Sequence, residues 1–435
     1  MLSAAPRKAY AAEHVIHISV DGLRPSHLQA IVDGGLLPNF KRLQDEGAWT
    51  NNARTDYTHT ITLPNHTSML TGRPVSQPAG MPNDVHHGYT NNDDPAPGET
   101  LHNAGNPNAG YIASVFDVVH DAGLTTALFA AKSKFSLFDN SYDADSGAPH
   151  ANGRDKIDDF YAAQNGSLPY SATMQNRFLA DMAANRFNYA FVHCADTDVA
   201  GHDSGWGSLA YIQALRAVDV YLGQVFALVE GDANLAGKTS IVLTTDHGGS
   251  GTGHGTATAP ENYTIPVYAW GVGVGPGDLY EFNSLVRQNP GTSRPDYNAA
   301  GQPIRNGDTG NLALSLLGLP AIPGSLINRA QDLRVAAQGD YNFDGVIDAA
   351  DYTVWRNSAG TSGIGLAADG NGDRAVDDLD YEYWKSRFGA SAGQGAGLSR
   401  PVPEPATLSL VGLATAAALC LRGLCRRRSQ DAQLF

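Results

Sequence analysis

Cysteine is nearly missing from this 435-residue chain: Cys194 stands alone until Cys420 and Cys425 at the far end. One thiol in the main body leaves no internal disulfide framework there. Positive charge is also scarce, with 29 Lys and Arg against 44 Asp and Glu and a net charge of −15. A phosphate backbone or an anionic bilayer asks for a basic face, so this balance argues against broad nucleic-acid or acidic-membrane binding. Charged residues are only 17% of the chain and apolar residues 42%, which is a globular composition and not a disordered one. The opening residues, MLSAAPRKAYAAEHVIHISVDG, hold no apolar run of signal-peptide length, yet AYAAE has the small residues that end one. The expectation is a signal sequence upstream of Met1.

What is present is alternation. Between residues 14 and 334, HVIHISV, TTALFAA, YAFVHCA, SIVLTT and IPVYAWGV read as strands apolar enough to be covered on both faces. Helical stretches such as ASVFDVVHDAG and LAYIQALRAVDVYLGQVFALVEG lie between them. The pattern predicts an α/β fold, an α/β/α sandwich on a mostly parallel central sheet. Residues 78–110, rich in Asn, Pro and Gly, predict a long loop over the site.

In such a sheet, reactive groups gather where strands end at their carboxyl edge. HISVDG ends in Asp21, FVHCADTDVAGH offers Asp198 and His202, and IVLTTDHGGSGTGHG offers Asp246, His247 and His254. Three carboxylates and three imidazoles suit Zn²⁺ or a similar transition ion, and six ligands are too many for one catalytic zinc. They suit two ions about 4 Å apart. The nearly uncharged stretch THTITLPNHTSMLTGRP then acquires a meaning. Its hydroxyls cap a helix that Pro64 helps to start, and one of them, Thr58, Thr60 or Thr62, is a nucleophile if a metal lowers its pKa.

SVDGLRP, TLPNHTSMLTG, HHGYTNN, DTDVAGH and DHGG…GHG, in that order, resemble the alkaline phosphatase superfamily, in particular the type I phosphodiesterase/nucleotide pyrophosphatase group. The resemblance covers roughly residues 14–330 and implies a catalytic domain at 13–333. It implies Thr62 as nucleophile, one ion held by Asp21, Thr62, Asp246 and His247, and a second held by Asp198, His202 and His254. Asn92 matches the phosphate-contacting asparagine, and with the Leu63 amide it would stabilise charge on oxygen. The implied mechanism is in-line attack by Thr62 on phosphorus, then hydrolysis of the covalent intermediate. Sulfatases carry a Cys or Ser followed by an arginine in their nucleophile motif, and LPNH offers no such arginine. Monoesterases neutralise a dianion with an additional cation, for which Lys132 and Lys134 in AAKSKF stand as candidates, Lys132 first. The reading is a diesterase or pyrophosphatase, with a phosphomonoesterase as runner-up and a degenerate anion-binding envelope protein as the non-enzymatic rival.

The last hundred residues differ. DYNFDGVIDAADYTVW and DGNGDRAVDDLDYEYW repeat at an offset of 29 residues. Each places oxygen ligands at loop positions 1, 3, 5, 9 and 12: Asp340, Asn342, Asp344, Asp348 and Asp351, then Asp369, Asn371, Asp373, Asp377 and Asp380. Val346 and Ala375 would give backbone carbonyls at position 7, the spacing of an EF-hand-type Ca²⁺ loop. Gly345 fills the sharp-turn position, and Arg374 replaces glycine in the second loop. Residues 338–390 resemble a type I dockerin, an α-helical Ca-binding module that implies a cohesin-like partner. A Gly/Ser/Ala linker follows at 391–401. Residues 402–428, with VPEP, an apolar helix at 406–421 and a basic cluster, resemble a PEP-CTERM sorting tail. That tail implies export to the cell envelope and a membrane or sorting protease as partner, while the substrate expected of the catalytic domain is a phosphorylated small molecule or envelope component.

Overall fold

The computed structural model describes residues 11–363, 366–371 and 373–390. Among these residues, eight strands form one sheet: β1 (His14–Val20), β2 (Ala48–Arg54), β3 (Thr126–Ala130), β4 (Asp159–Ala162), β5 (Tyr189–Cys194), β6 (Thr239–Thr244), β7 (Thr264–Gly271) and β8 (Gly277–Asp278). Their order is β4-β3-β5-β1-β6-β7-β2-β8. The run from β4 to β6 is parallel, and β7 reverses against both β6 and β2, so the sheet is mostly parallel and mixed. The five apolar segments become β1, β3, β5, β6 and β7, within a residue at either end.

Side chains alternate across each strand and build two cores. Val15, Leu128, Phe191 and Val242 pack with Leu63, Phe116 and Leu312, from the helices Thr62–Thr71, Val115–Asp121 and Asp308–Leu316. Ile16, Ile18, Val192 and Leu243 pack on the other face with Leu28, Phe40, Phe178 and Leu222, from Pro25–Asp33, Pro38–Glu46, Ala172–Asn185 and Leu209–Gly231. The α/β/α sandwich is therefore present. The helix Leu209–Gly231 has the length and, over its most apolar 18 residues, the mean hydropathy (1.3) to cross a membrane, yet it lays Leu215, Val218, Leu222 and Val225 against the sheet. Its Asp219 accepts from the amides of Asn39 and Phe40 and so caps the first turn of Pro38–Glu46.

The acidic repeats fold into a small two-helix unit. The helices Ala349–Ser358 and Asp378–Arg387 each open on a capping box, Asp348 with Asp351 and Asp377 with Asp380. Asp351 accepts from the amides of Tyr341, Asn342 and Asp348, which turns its carboxylate into its own loop. Asp380 does the same in the second loop with the amides of Asn371 and Asp377. The halves are cross-tied: Trp355 Nε1 donates to the Asp377 carbonyl at 2.8 Å, and Trp384 Nε1 to the Asp348 carbonyl at 2.7 Å. Gly345 and Arg374 both take the left-handed conformation, φ 83° and 71°. Arg334 joins the unit to the sandwich by donating to the Asp369 carbonyl at 3.1 Å. The linker at 391–401 and the tail at 402–428, with its apolar segment, lie outside the described residues.

Candidate functional site

β1 lies between β5 and β6, so Asp21, Asp198 and Asp246 leave three adjacent strands at one edge of the sheet. Asp198 and His202 sit one turn apart on the helix Asp196–Ser204, with His202 Nε2 3.4 Å from Asp198 Oδ1. The glycine-rich turn after β6 brings His254 back, so that its ring stacks on His247 with centroids 3.5 Å apart. Trp206 is the pillar beneath this turn. Its Nε1 donates to the Gly22 carbonyl at 2.9 Å, and a β-carbon on Gly249 would come within 2.1 Å of its ring.

The three imidazoles are oriented alike. Nδ1 of His202 meets the Thr252 carbonyl at 3.0 Å, Nδ1 of His247 the Gly248 carbonyl at 2.8 Å, and Nδ1 of His254 the Thr60 carbonyl at 2.6 Å. A carbonyl only accepts, so Nδ1 carries the proton and Nε2 presents a lone pair, the arrangement found behind metal-ligating histidines. His202 Nε2 and His254 Nε2 then face each other at 3.0 Å. Two lone pairs at that distance repel, and a shared cation resolves the conflict. Burial, reinforced by His254, lowers the His247 pKa to about 3, and burial also lowers that of His254, so both rings are held neutral.

The carboxylates carry the same message. Burial raises the Asp21 carboxyl, but the Lys132 ammonium and the His193 hydrogen bond outweigh it and hold it well below the usual range. Burial, with Asp21 and Asp198 close by, pushes Asp246 well above that range. Lys132 reaches Asp21 Oδ2 at 2.6 Å and Asp198 Oδ2 at 2.7 Å. One ammonium among three buried carboxylates leaves negative charge uncompensated. Asp21 Oδ1, Asp198 Oδ1, Asp246 Oδ2 and His247 Nε2 are all buried without a hydrogen-bond partner. These orphaned atoms fit divalent cations. Asp198, His202 and His254 offer ligand atoms within 4.8 Å of one another, as do Asp21, Asp198 and His247. The first set is the expected second site. The other takes Asp21 and His247 from the expected first site, with Asp246 Oδ2 3.1 Å from His247 Nε2.

Thr62 is the first residue of the helix Thr62–Thr71 and is buried. His66, one turn on, meets the Thr62 carbonyl at 2.8 Å and Ser19 Oγ at 2.8 Å, and lies 3.8 Å from Asp246 Oδ2. The neighbouring threonines are engaged elsewhere: the Thr60 hydroxyl donates to the His254 carbonyl at 2.5 Å, and the Thr58 hydroxyl to Asp56 at 2.7 Å. Asn92 Oδ1 accepts from the Leu63 amide at 2.9 Å, and Lys134 donates to the Asn92 carbonyl. The structure thus gathers Asp21, Lys132, Asp198, His202, Asp246, His247 and His254 into one cluster and links Asn92 to the helix start. Sequence reasoning passed over His66, His193 and Trp206. His193 sits inside the quoted FVHCADTDVAGH, but its place on β5 opposite Ser19 of β1, which aims it at Asp21, carries no local sequence signal.

The type I phosphodiesterase / nucleotide pyrophosphatase family matches residues 15–276, and the PEP-CTERM protein-sorting motif, which directs export and envelope targeting, matches residues 401–428. Ectonucleotide pyrophosphatase/phosphodiesterase family member 1 of Mus musculus is 28% identical over 254 residues, 53% of this chain and 23% of that protein. GPI ethanolamine phosphate transferase 1 of Emericella nidulans is 35% identical over 89 residues, 20% of this chain and 10% of that protein. The chain therefore spans less than a quarter of the length of either relative. Among solved structures, wild-type alkaline phosphatase PafA shares the fold, with a TM-score of 0.52 at 12% identity over 76% of this chain and 100% of that one. The chain belongs to the type I phosphodiesterase / nucleotide pyrophosphatase family, on a fold shared with alkaline phosphatase PafA.

Proposed function

We propose that the domain at 13–333 hydrolyses phosphodiester or pyrophosphate bonds through a covalent phosphothreonine on Thr62. The observation that carries this reading is the inward-turned Nε2 atoms of His202, His247 and His254 together with the unpartnered oxygens of Asp21, Asp198 and Asp246, beside the start of the helix Thr62–Thr71. Two ions, Zn²⁺ in this reading, would be held by Asp21, Thr62, Asp246 and His247 and by Asp198, His202 and His254, supplying Lewis acidity and charge neutralisation. Thr62 is the hydroxyl for attack because Thr58 and Thr60 are engaged elsewhere. Its oxygen forms a bond to phosphorus as the bond to the leaving oxygen breaks, and water later cleaves the phosphothreonine to regenerate the hydroxyl. Leu63 N–H, on exchanging Asn92 Oδ1 for substrate, and the Asn92 side-chain NH₂ would donate to a phosphoryl oxygen, and their present contact at the helix start supports that role.

A second reading, a phosphomonoesterase, is favoured by one observation. Lys132 is committed to Asp21 and Asp198, but Lys134 lies against Asn92 and gives a dianion a cation to meet. The two readings separate in a comparison of a bis-aryl phosphate with an aryl monophosphate on residues 13–333, run with Zn²⁺ and with chelator. Faster diester cleavage, lost with chelator and with Thr62→Ala, supports the first reading. Faster monoester cleavage supports the second, and activity that survives Thr62→Ala refutes both.

The unit at 338–390 we read as a dockerin-like Ca²⁺ module that meets a cohesin-like partner, with one ion per loop on the residues named above. Inward-turned Asp351 and Asp380 support that reading. The substrate class that suits an exported chain is a phosphorylated small molecule or envelope component, and the tail at 402–428 is the part a sorting protease would remove after the linker at 391–401.

A further inference from the structure

The two oxygens of Asp21 have unequal surroundings. Oδ2 receives two donors, Lys132 Nζ at 2.6 Å and His193 Nε2 at 3.0 Å. Oδ1 receives none and lies 3.4 Å from His247 Nε2. A carboxylate held through one oxygen cannot rotate, so the direction of the other is fixed.

His193 is built for this contact and for little else. It is fully buried on β5, paired in register with Ser19 of β1. Its ring is wedged between Phe135, at a centroid distance of 4.2 Å, and the edge of His66 at 5.0 Å. Phe135 closes the short turn Ser133–Phe135 that directly follows Lys132. The loop after β3 therefore delivers one donor to Asp21 and the wall that orients the other. His193 Nδ1 is buried with no hydrogen-bond partner. A leucine or phenylalanine would fill this position without that penalty, so packing alone does not account for an imidazole.

We propose that His193 is a positioning residue that makes Asp21 a single-oxygen metal ligand, its Nε2–H holding Oδ2 so that Oδ1 points at His247. The inference rests on the two-ion reading of the site. Outer hydrogen bonds of this kind change metal affinity by about 10–100-fold. They act on one site only, since His193 contacts Asp21, whereas in the second set His202 and His254 are oriented by the Thr252 and Thr60 carbonyls and Asp198 is held by Lys132.

The test is Zn²⁺ binding to the full chain, read as ions per chain by elemental analysis across a series of buffered free Zn²⁺ concentrations. Wild type should load two ions. His193→Phe should keep one with unchanged affinity and weaken the other about 10–100-fold. His193→Gln, whose amide nitrogen reaches Asp21 in place of Nε2, should restore most of the loss, and His193→Asn, one carbon shorter, should not. The last pair carries the test if the phenylalanine variant fails to fold. Two ions bound with wild-type affinity in His193→Asn would overturn the inference, as would equal weakening of both sites. A wild type that binds no Zn²⁺ would instead overturn the two-ion reading itself.

Discussion

Raising the pH of the metal-free protein should loosen its C-terminal unit. Burial, with Asp351 and Asp344 alongside, pushes the Asp340 carboxyl up to about 6, although the amides of Gly345 and Asp344 hydrogen-bond its oxygens. In the unfolded chain the same group titrates near its ordinary value of about 3.9. Between those values the folded unit holds a proton that the unfolded chain has released. Stability from this group is full below the unfolded pKa and is lost as pH rises through about 6. Two pKa units set a ceiling of ~3 kcal/mol, and solvent at the exposed side of the loop should reduce it to about 1.5 kcal/mol. The assay is urea unfolding of the full chain in chelator at acid and neutral pH, with a short protease pulse reporting cleavage within 338–390. The midpoint should be lower at neutral pH, and Asp340→Asn should shrink the difference, leaving the smaller part due to Asp351, which burial also pushes up. Ca²⁺ should reverse the order, because an ion favours the ionised carboxylate. A chelated midpoint that is flat or rises with pH would refute the reasoning.

Three further outcomes are expected. Lys134→Ala should lower kcat/KM for an aryl monophosphate at least tenfold more than for a bis-aryl phosphate, on the order of the 1–3 kcal/mol carried by a charged hydrogen bond; equal losses would remove Lys134 from substrate discrimination. Gly249→Ala should destabilise the sandwich by about 1–3 kcal/mol, read as a fall in Tm, because the new β-carbon meets the Trp206 ring at 2.1 Å. Arg374→Gly should stabilise the C-terminal unit by about 1 kcal/mol in the same urea assay, by relieving a non-glycine residue at φ 71°.

The strands that reason from sequence alone could find are those buried on both faces, whose unbroken apolar runs need no knowledge of neighbours. β2 escaped because Asn51 and Asn52 interrupt it where its register against β7 shifts, between Thr50 and Ala53. β4 is half-buried along its length and β8 is two residues long, so neither carries a periodic signal. The same division holds at the site. Carboxylates and imidazoles at strand ends are visible locally, next to the glycines that turn the chain. What orients them is visible only in space: the His193 contact with Asp21 joins residues 172 apart, and the Thr60 contact with His254 joins residues 194 apart.

The long apolar helix of the sandwich bears on export of a chain with a sorting motif. A chain exported unfolded would present this 23-residue segment, whose most apolar 18 residues have a mean hydropathy of 1.3, to the membrane on the way. Arg216 and Asp219 fall in the middle of that segment. At the centre of a helix each resists insertion by about 2.5–3.5 kcal/mol. Once the chain folds, Asp219 serves the first turn of Pro38–Glu46. The carboxylate that would oppose insertion during such a passage is the one that holds Asn39 and Phe40 in the folded protein.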